Sequence, residues 1–131
     1  MEQRLFVKDR SWKARFTSFR DAWRGLHVQL STQANARIHA LASVLAIGLG
    51  WRLGLTATEW CLVIGAIGLV WTAETFNTAI EFLVDLVSPE INPLAGRVKD
   101  LAAGAVLAAA ITAAAIGALI FLPKLLALRA G

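Results

Sequence analysis

Glu74, Asn77 and Glu81 lie inside Trp60–Val87, a segment otherwise apolar enough to cross a lipid bilayer. Packing alone gives such a segment no reason to carry them, because a carboxylate at membrane depth costs at least a few kcal/mol. On a helix turning about 100° per residue, Glu74, Asn77, Glu81 and Asp85 fall within one stripe roughly 80° wide. A second charged pair, Lys99-Asp100, opens the next apolar segment. Mg²⁺ takes oxygen ligands and keeps several waters, so one or two carboxylates suffice to hold it. A lysine offers a point charge to phosphate, and a partly desolvated glutamate can accept a proton from a hydroxyl. Together these parts suit a divalent metal, a polyphosphate and phosphoryl transfer.

Two other readings compete. The polar residues could be hydrogen-bonded glue between helices, a common use of Asn, or they could carry protons or cations across the bilayer in a non-enzymatic oligomer. Three such residues on one stripe exceed what glue requires. Lys99-Asp100 has no role in a conduction path, and the stripe ends at one face of the membrane. His39, a lone histidine in the first apolar segment, is read as a packed, hydrogen-bonded residue with no assigned role. The chain has no GxxxxGK[ST] loop, no GxGxxG before a helix and no HRD or DFG element, so a kinase here has none of the familiar soluble folds.

The elements that must position these residues follow from patterning. At 131 residues the length is that of one domain, and a hydrophobic fraction of 57% with a mean hydropathy of +0.62 marks a membrane protein. Phe16, Phe19, Trp23, Leu26 and Leu30 recur at helical spacing opposite Arg15, Ser18, Arg20, Asp21 and Arg24. That pattern predicts an amphipathic helix over about 12–31 lying flat in the headgroup region. The uncharged run Ile38–Trp51 is short for a span. Arg37 and Arg52 can snorkel to the two interfaces, which extends a first span to about 35–55. A second is expected over 58–87, stopping at Ser88-Pro89, with a loop through Asn92-Pro93 and Gly96, and a third over 98–122. Twelve residues of Leu101–Leu122 are Ala or Gly, so this helix packs backbone against backbone. The single cysteine, Cys61, excludes an intrachain disulfide and reads as a small buried apolar residue.

Charge orients the arrangement. The net charge is +4, and eight of the thirteen Lys and Arg residues precede the first apolar segment (Arg4, Lys8, Arg10, Lys13, Arg15, Arg20, Arg24 and Arg37). With that head on the cytoplasmic side, Arg97 and Lys99 also fall inside, and Arg52, Lys124 and Arg129 outside, as the positive-inside rule requires. Glu81, Asp85, Lys99 and Asp100 then meet at the cytoplasmic face, toward nucleotides. The basic head suits anionic lipid. No nucleic-acid-binding motif accompanies it, and no removable signal peptide is apparent.

The string Glu74-Thr-Phe-Asn77-Thr-Ala-Ile-Glu81-Phe-Leu-Val-Asp85, followed by Ser88-Pro89-Glu90 and Lys99-Asp100-Leu-Ala-Ala-Gly104, resembles the signature of the bacterial integral-membrane diacylglycerol kinase and undecaprenol kinase family over about Ser18 to Leu122. The resemblance implies an all-α membrane protein, a homotrimer of three-helix protomers with a surface helix, active sites shared between subunits, and MgATP-dependent phosphorylation of a lipid alcohol. By the same resemblance Glu74 is the general base, Glu81 a metal ligand on the ATP side, and Asn77, Lys99 and Asp100 organise the ATP phosphates and, for Lys99 and Asp100, the catalytic centre. Trp23, Gly25 and Arg37 match surface-helix and first-span positions, with Arg37 toward the lipid, and Glu90 a nucleotide-side loop position. Gln33 stands where the family usually has a second metal-binding glutamate. A neutral amide there keeps a carbonyl oxygen but loses a charge, which should weaken metal binding. Asn35-x-Arg37-Ile-His39 and Ser88-Pro89-Glu90 resemble the undecaprenol-kinase branch more closely, with diacylglycerol the alternative substrate. The expected place is the bacterial cytoplasmic membrane.

Overall fold

A computed structural model describes residues 12–130; Arg4, Lys8 and Arg10 of the basic head lie outside them. The described chain is all helical: α1 (Trp12–Thr32), α2 (Ala34–Leu53), α3 (Ala57–Val87) and α4 (Pro93–Ala130). It falls into two compact units, one ending at Thr32 and one running from Gln33.

In the first unit α1 displays the expected aromatic row. Trp12, Phe16, Phe19 and Trp23 are all at least 68% exposed, and their spacing of four, three and four residues puts them on one face. Arg15 lies over the Trp12 ring, 5.2 Å from its centroid, so a cation borders the aromatic face.

In the second unit α3 packs chiefly on α4, and α2 leans on both. Gly54 ends α2 in the left-handed region, at φ +62°, which only glycine enters without cost. The next helix starts at once: the Thr56 side chain accepts from the Glu59 amide while the Glu59 carboxylate accepts from the Thr56 amide. This reciprocal cap satisfies two orphan donors of the first turn. At the same end Lys124 Nζ lies 3.2 Å from Glu59 Oε2, tying the start of α3 to the far part of α4. Leu55, Val63 and Ile120 form the local apolar core.

α3 and α4 are each long and apolar enough to cross a membrane; α2 does not meet that test. At 1.5 Å per residue α3 is about 46 Å long, against a hydrocarbon core of about 30 Å. Its buried positions are Val63, Ala66, Val70, Glu74, Asn77, Thr78 and Val84. One stripe therefore packs apolar side chains over half the helix and carries the acid and amide over the other half. Cys61 is exposed, not buried. Two positions before Val63 on a helix is 200°, which turns it to the opposite side.

Asn92-Pro93 differs from expectation. It opens a helix where the sequence suggested a loop up to Val98. Asn92 Oδ1 accepts from the Leu94 amide at 2.8 Å, and Pro93 takes the first helical position, where no amide hydrogen is needed. At the other end α4 continues through Pro123 to Ala130 instead of stopping at Leu122.

Candidate active site

Glu74 is 1% exposed and Asn77 6%. Both line a cavity of about 290 Å³ with Glu81 on α3, Asn35, Ile38 and His39 on α2, and the small-residue face of α4. The three polar residues of α3 reach one space because their spacings of three and four residues share a face. α4 closes that space with Ala103, Val106, Leu107 and Ala110.

Hydrogen bonding divides the site in two. Asn77 Nδ2 donates to Glu81 Oε1 at 3.1 Å and Gln33 Nε2 donates to Glu81 Oε2 at 3.3 Å, so each carboxylate oxygen of Glu81 is held by an amide. Glu74 Oε2 and Asn77 Oδ1 are buried with no hydrogen-bond partner. Each such atom costs about 1–3 kcal/mol, more if charged. Two unsatisfied oxygens in one cavity are suitable for a hydroxyl donor or an oxygen-seeking cation, and the carboxylate and amide oxygens of α3 are the ligand type Mg²⁺ prefers. Among the described residues no cluster of three or more His, Cys, Asp or Glu stands ready for a metal. A cation here would be held by one or two carboxylates and by what the substrate brings.

The remaining residues lie around this centre. Lys99 forms an ion pair and hydrogen bond with Asp85, one helical turn beyond Glu81, and does not line the cavity. Asp100, Arg37 and Glu90 are exposed. Asn35 and His39, to which the sequence assigned no chemistry, both line the cavity. Their separation of four residues on α2 was the available signal.

Residues 20–121 match the family described as prokaryotic diacylglycerol kinase. The chain is 42% identical over 110 residues to an undecaprenol kinase of Bacillus subtilis, covering 84% of this chain and 89% of that protein. It is 43% identical over 112 residues to a diacylglycerol kinase of Synechocystis, covering 85% of this chain and 64% of that protein. A diacylglycerol kinase of Escherichia coli is 36% identical over 92 residues, with 70% and 75% covered. With a buried acid in a cavity between apolar helices and bacterial relatives of this kind, this is a bacterial membrane protein and a lipid kinase, a phosphotransferase acting on an alcohol, and it belongs to the prokaryotic diacylglycerol kinase family.

Proposed function

We propose that this lipid kinase transfers the γ-phosphoryl group of ATP to undecaprenol at the cytoplasmic leaflet. The observation that carries the reading is the pair of partnerless buried oxygens, Glu74 Oε2 and Asn77 Oδ1, in a cavity beside Glu81. The lipid hydroxyl oxygen forms a bond to the γ-phosphorus as the bond from that phosphorus to the β–γ bridging oxygen breaks. The hydroxyl proton passes to Glu74, and ADP leaves. Glu74 orients the hydroxyl by accepting its hydrogen bond, a role that general-base groups fill only within hydrogen-bond reach.

Glu81 would hold magnesium with Gln33 beside it, and the ion, when bound, neutralises triphosphate charge. Asn77 and Asp100 help order the nucleotide, and Glu90 borders it from the loop. Lys99 meets the phosphates and stabilises charge that develops on them in the transition state. Arg37 faces the lipid headgroup region.

The same reading extends to the assembly. α1 lies on the membrane surface with Trp12, Phe16, Phe19 and Trp23 in the acyl boundary, and α2, α3 and α4 span as a homotrimeric bundle. The N-terminus and the site face the cytoplasm of a bacterial inner membrane. The exposed aromatic row of α1 and the ten-to-three distribution of basic residues support this placement.

Undecaprenol is preferred to diacylglycerol because the Bacillus subtilis relative that carries that name is matched over 89% of its length; the Synechocystis and Escherichia coli relatives support the second substrate. Purified protein given labelled ATP with each lipid in parallel should label undecaprenol at the higher kcat/KM. A preference for diacylglycerol moves the reading to that substrate, and label in neither lipid ends it.

A further inference from the structure

His39 lines two cavities at once. One is the acid cavity. The other is a groove of about 250 Å³ between α2, α3 and α4, and the two share His39 and Ala110. Along α4 the groove runs from Ala110 to Phe121, about 16 Å at 1.5 Å per residue. That is close to half the thickness of a hydrocarbon core, the depth one leaflet's chains occupy. Its walls are apolar apart from His39 and Ser43.

Ser43 is already engaged. Trp71 Nε1 donates to Ser43 Oγ at 3.2 Å, and Ser43 Oγ donates to the His39 carbonyl at 2.7 Å. This relay pins the turn of α2 that carries His39 to the α3 residue three positions before Glu74. The main chain of that turn is thus fixed near the level of Glu74, and His39 lines the wall where the apolar groove meets the cavity of the carboxylates. A lipid alcohol has the matching polarity, with a long apolar tail ending in a single hydroxyl. A tail in the groove brings its hydroxyl to the shared wall.

We propose that His39 is a positioning residue for the acceptor: its imidazole hydrogen-bonds the hydroxyl of the lipid alcohol at the mouth of the tail groove and presents that hydroxyl to Glu74. The inference rests on the lipid-kinase reading above. An imidazole suits the task because it donates through one ring nitrogen and accepts through the other. It has no part in holding the nucleotide.

The test is steady-state kinetics of the full chain in mixed micelles, varying undecaprenol and ATP separately. His39→Phe, which fills the space without the hydrogen bond, should lower kcat/KM for undecaprenol at least tenfold while KM for ATP stays within twofold. His39→Gln, which keeps a donor and an acceptor, should restore the lipid parameters to within about threefold of the parent. If His39→Phe fails to fold, His39→Ala carries the same expectation. Unchanged lipid kinetics in His39→Phe or His39→Ala overturns the proposal. So does an equal shift of lipid and ATP parameters that His39→Gln fails to rescue, since that is the mark of a purely structural residue. An inactive parent protein would instead remove the lipid-kinase reading on which the inference stands.

Discussion

Gln33 reaches across from the start of α2 to the Glu81 carboxylate on α3, Nε2 to Oε2 at 3.3 Å, and makes no side-chain cap for its own helix. Gln is not among the short side chains that cap helices well, and the amide here serves Glu81 instead. Glu81 is held in place by this contact and by Asn77, with no added negative charge. A carboxylate at position 33 would supply another anionic oxygen beside Glu81.

Gln33→Glu should therefore lower the Mg²⁺ concentration needed for half-maximal activity severalfold, because ligand charge raises affinity for a hard cation. The measurement is activity against free Mg²⁺ at saturating ATP. An unchanged titration would separate residue 33 from the metal.

Glu74→Gln separates catalysis from folding. Removing a general base costs about 10²–10⁴-fold in rate, so turnover should fall at least about a hundredfold while nucleotide affinity stays within twofold. The amide is nearly isosteric and relieves the cost of a buried, partnerless carboxylate, so the unfolding midpoint should hold or rise. Loss of activity accompanied by loss of stability would instead make Glu74 a packing residue.

The trio Glu74, Asn77 and Glu81 was legible because carboxylates and amides in an apolar segment stand out, and helical spacing alone puts them on one face. The partner of Lys99 was not. Sequence placed Lys99 with Glu81 and Asp85 together, whereas the structure pairs it with Asp85 outside the cavity lining. That choice depends on how α4 is set against α3, which follows from α4 starting at Pro93. Proline is an ambiguous signal: it disfavours helix in the residue before it and also favours the first helical position. For His39 the sequence offered only its spacing of four residues from Asn35. A lone histidine looks the same in sequence whether packed or lining a cavity, and only the Trp71–Ser43 relay sets its depth.

Lys99→Met distinguishes a ligand from a brace. The Lys99 and Asp85 side chains are 37% and 64% exposed, and ion pairs in such settings contribute about 0–1 kcal/mol. Stability should change by no more than about 1 kcal/mol, while kcat/KM for ATP drops at least tenfold through loss of phosphate neutralisation. Chemical denaturation and ATP kinetics on the same preparation read both quantities. A large stability loss with normal ATP kinetics would make the Asp85 contact structural.

Gly50 offers a test of the fold away from the site. It is buried on α2, and a Cβ there would come within 2.8 Å of Trp60 Cη2, 3.2 Å of Trp60 Cζ2 and 3.3 Å of Leu55 Cδ2. In a helix interior Gly→Ala otherwise gains about 0.5–1 kcal/mol, but overpacking of this kind costs about 1–3 kcal/mol. The clash should win, because the colliding atoms belong to the rigid indole of Trp60, which stands one turn into α3 and packs against the same core as Leu55 and Val63. Gly50→Ala should lower the unfolding midpoint, and Gly50→Ala with Trp60→Phe should recover part of the loss by removing the two ring atoms that collide. A stabilised Gly50→Ala would mean that α2 and α3 approach less closely here than the structure has them. Glu74 lies fourteen residues beyond Trp60 on α3, roughly 21 Å along the helix axis, so KM for ATP should not move in either variant.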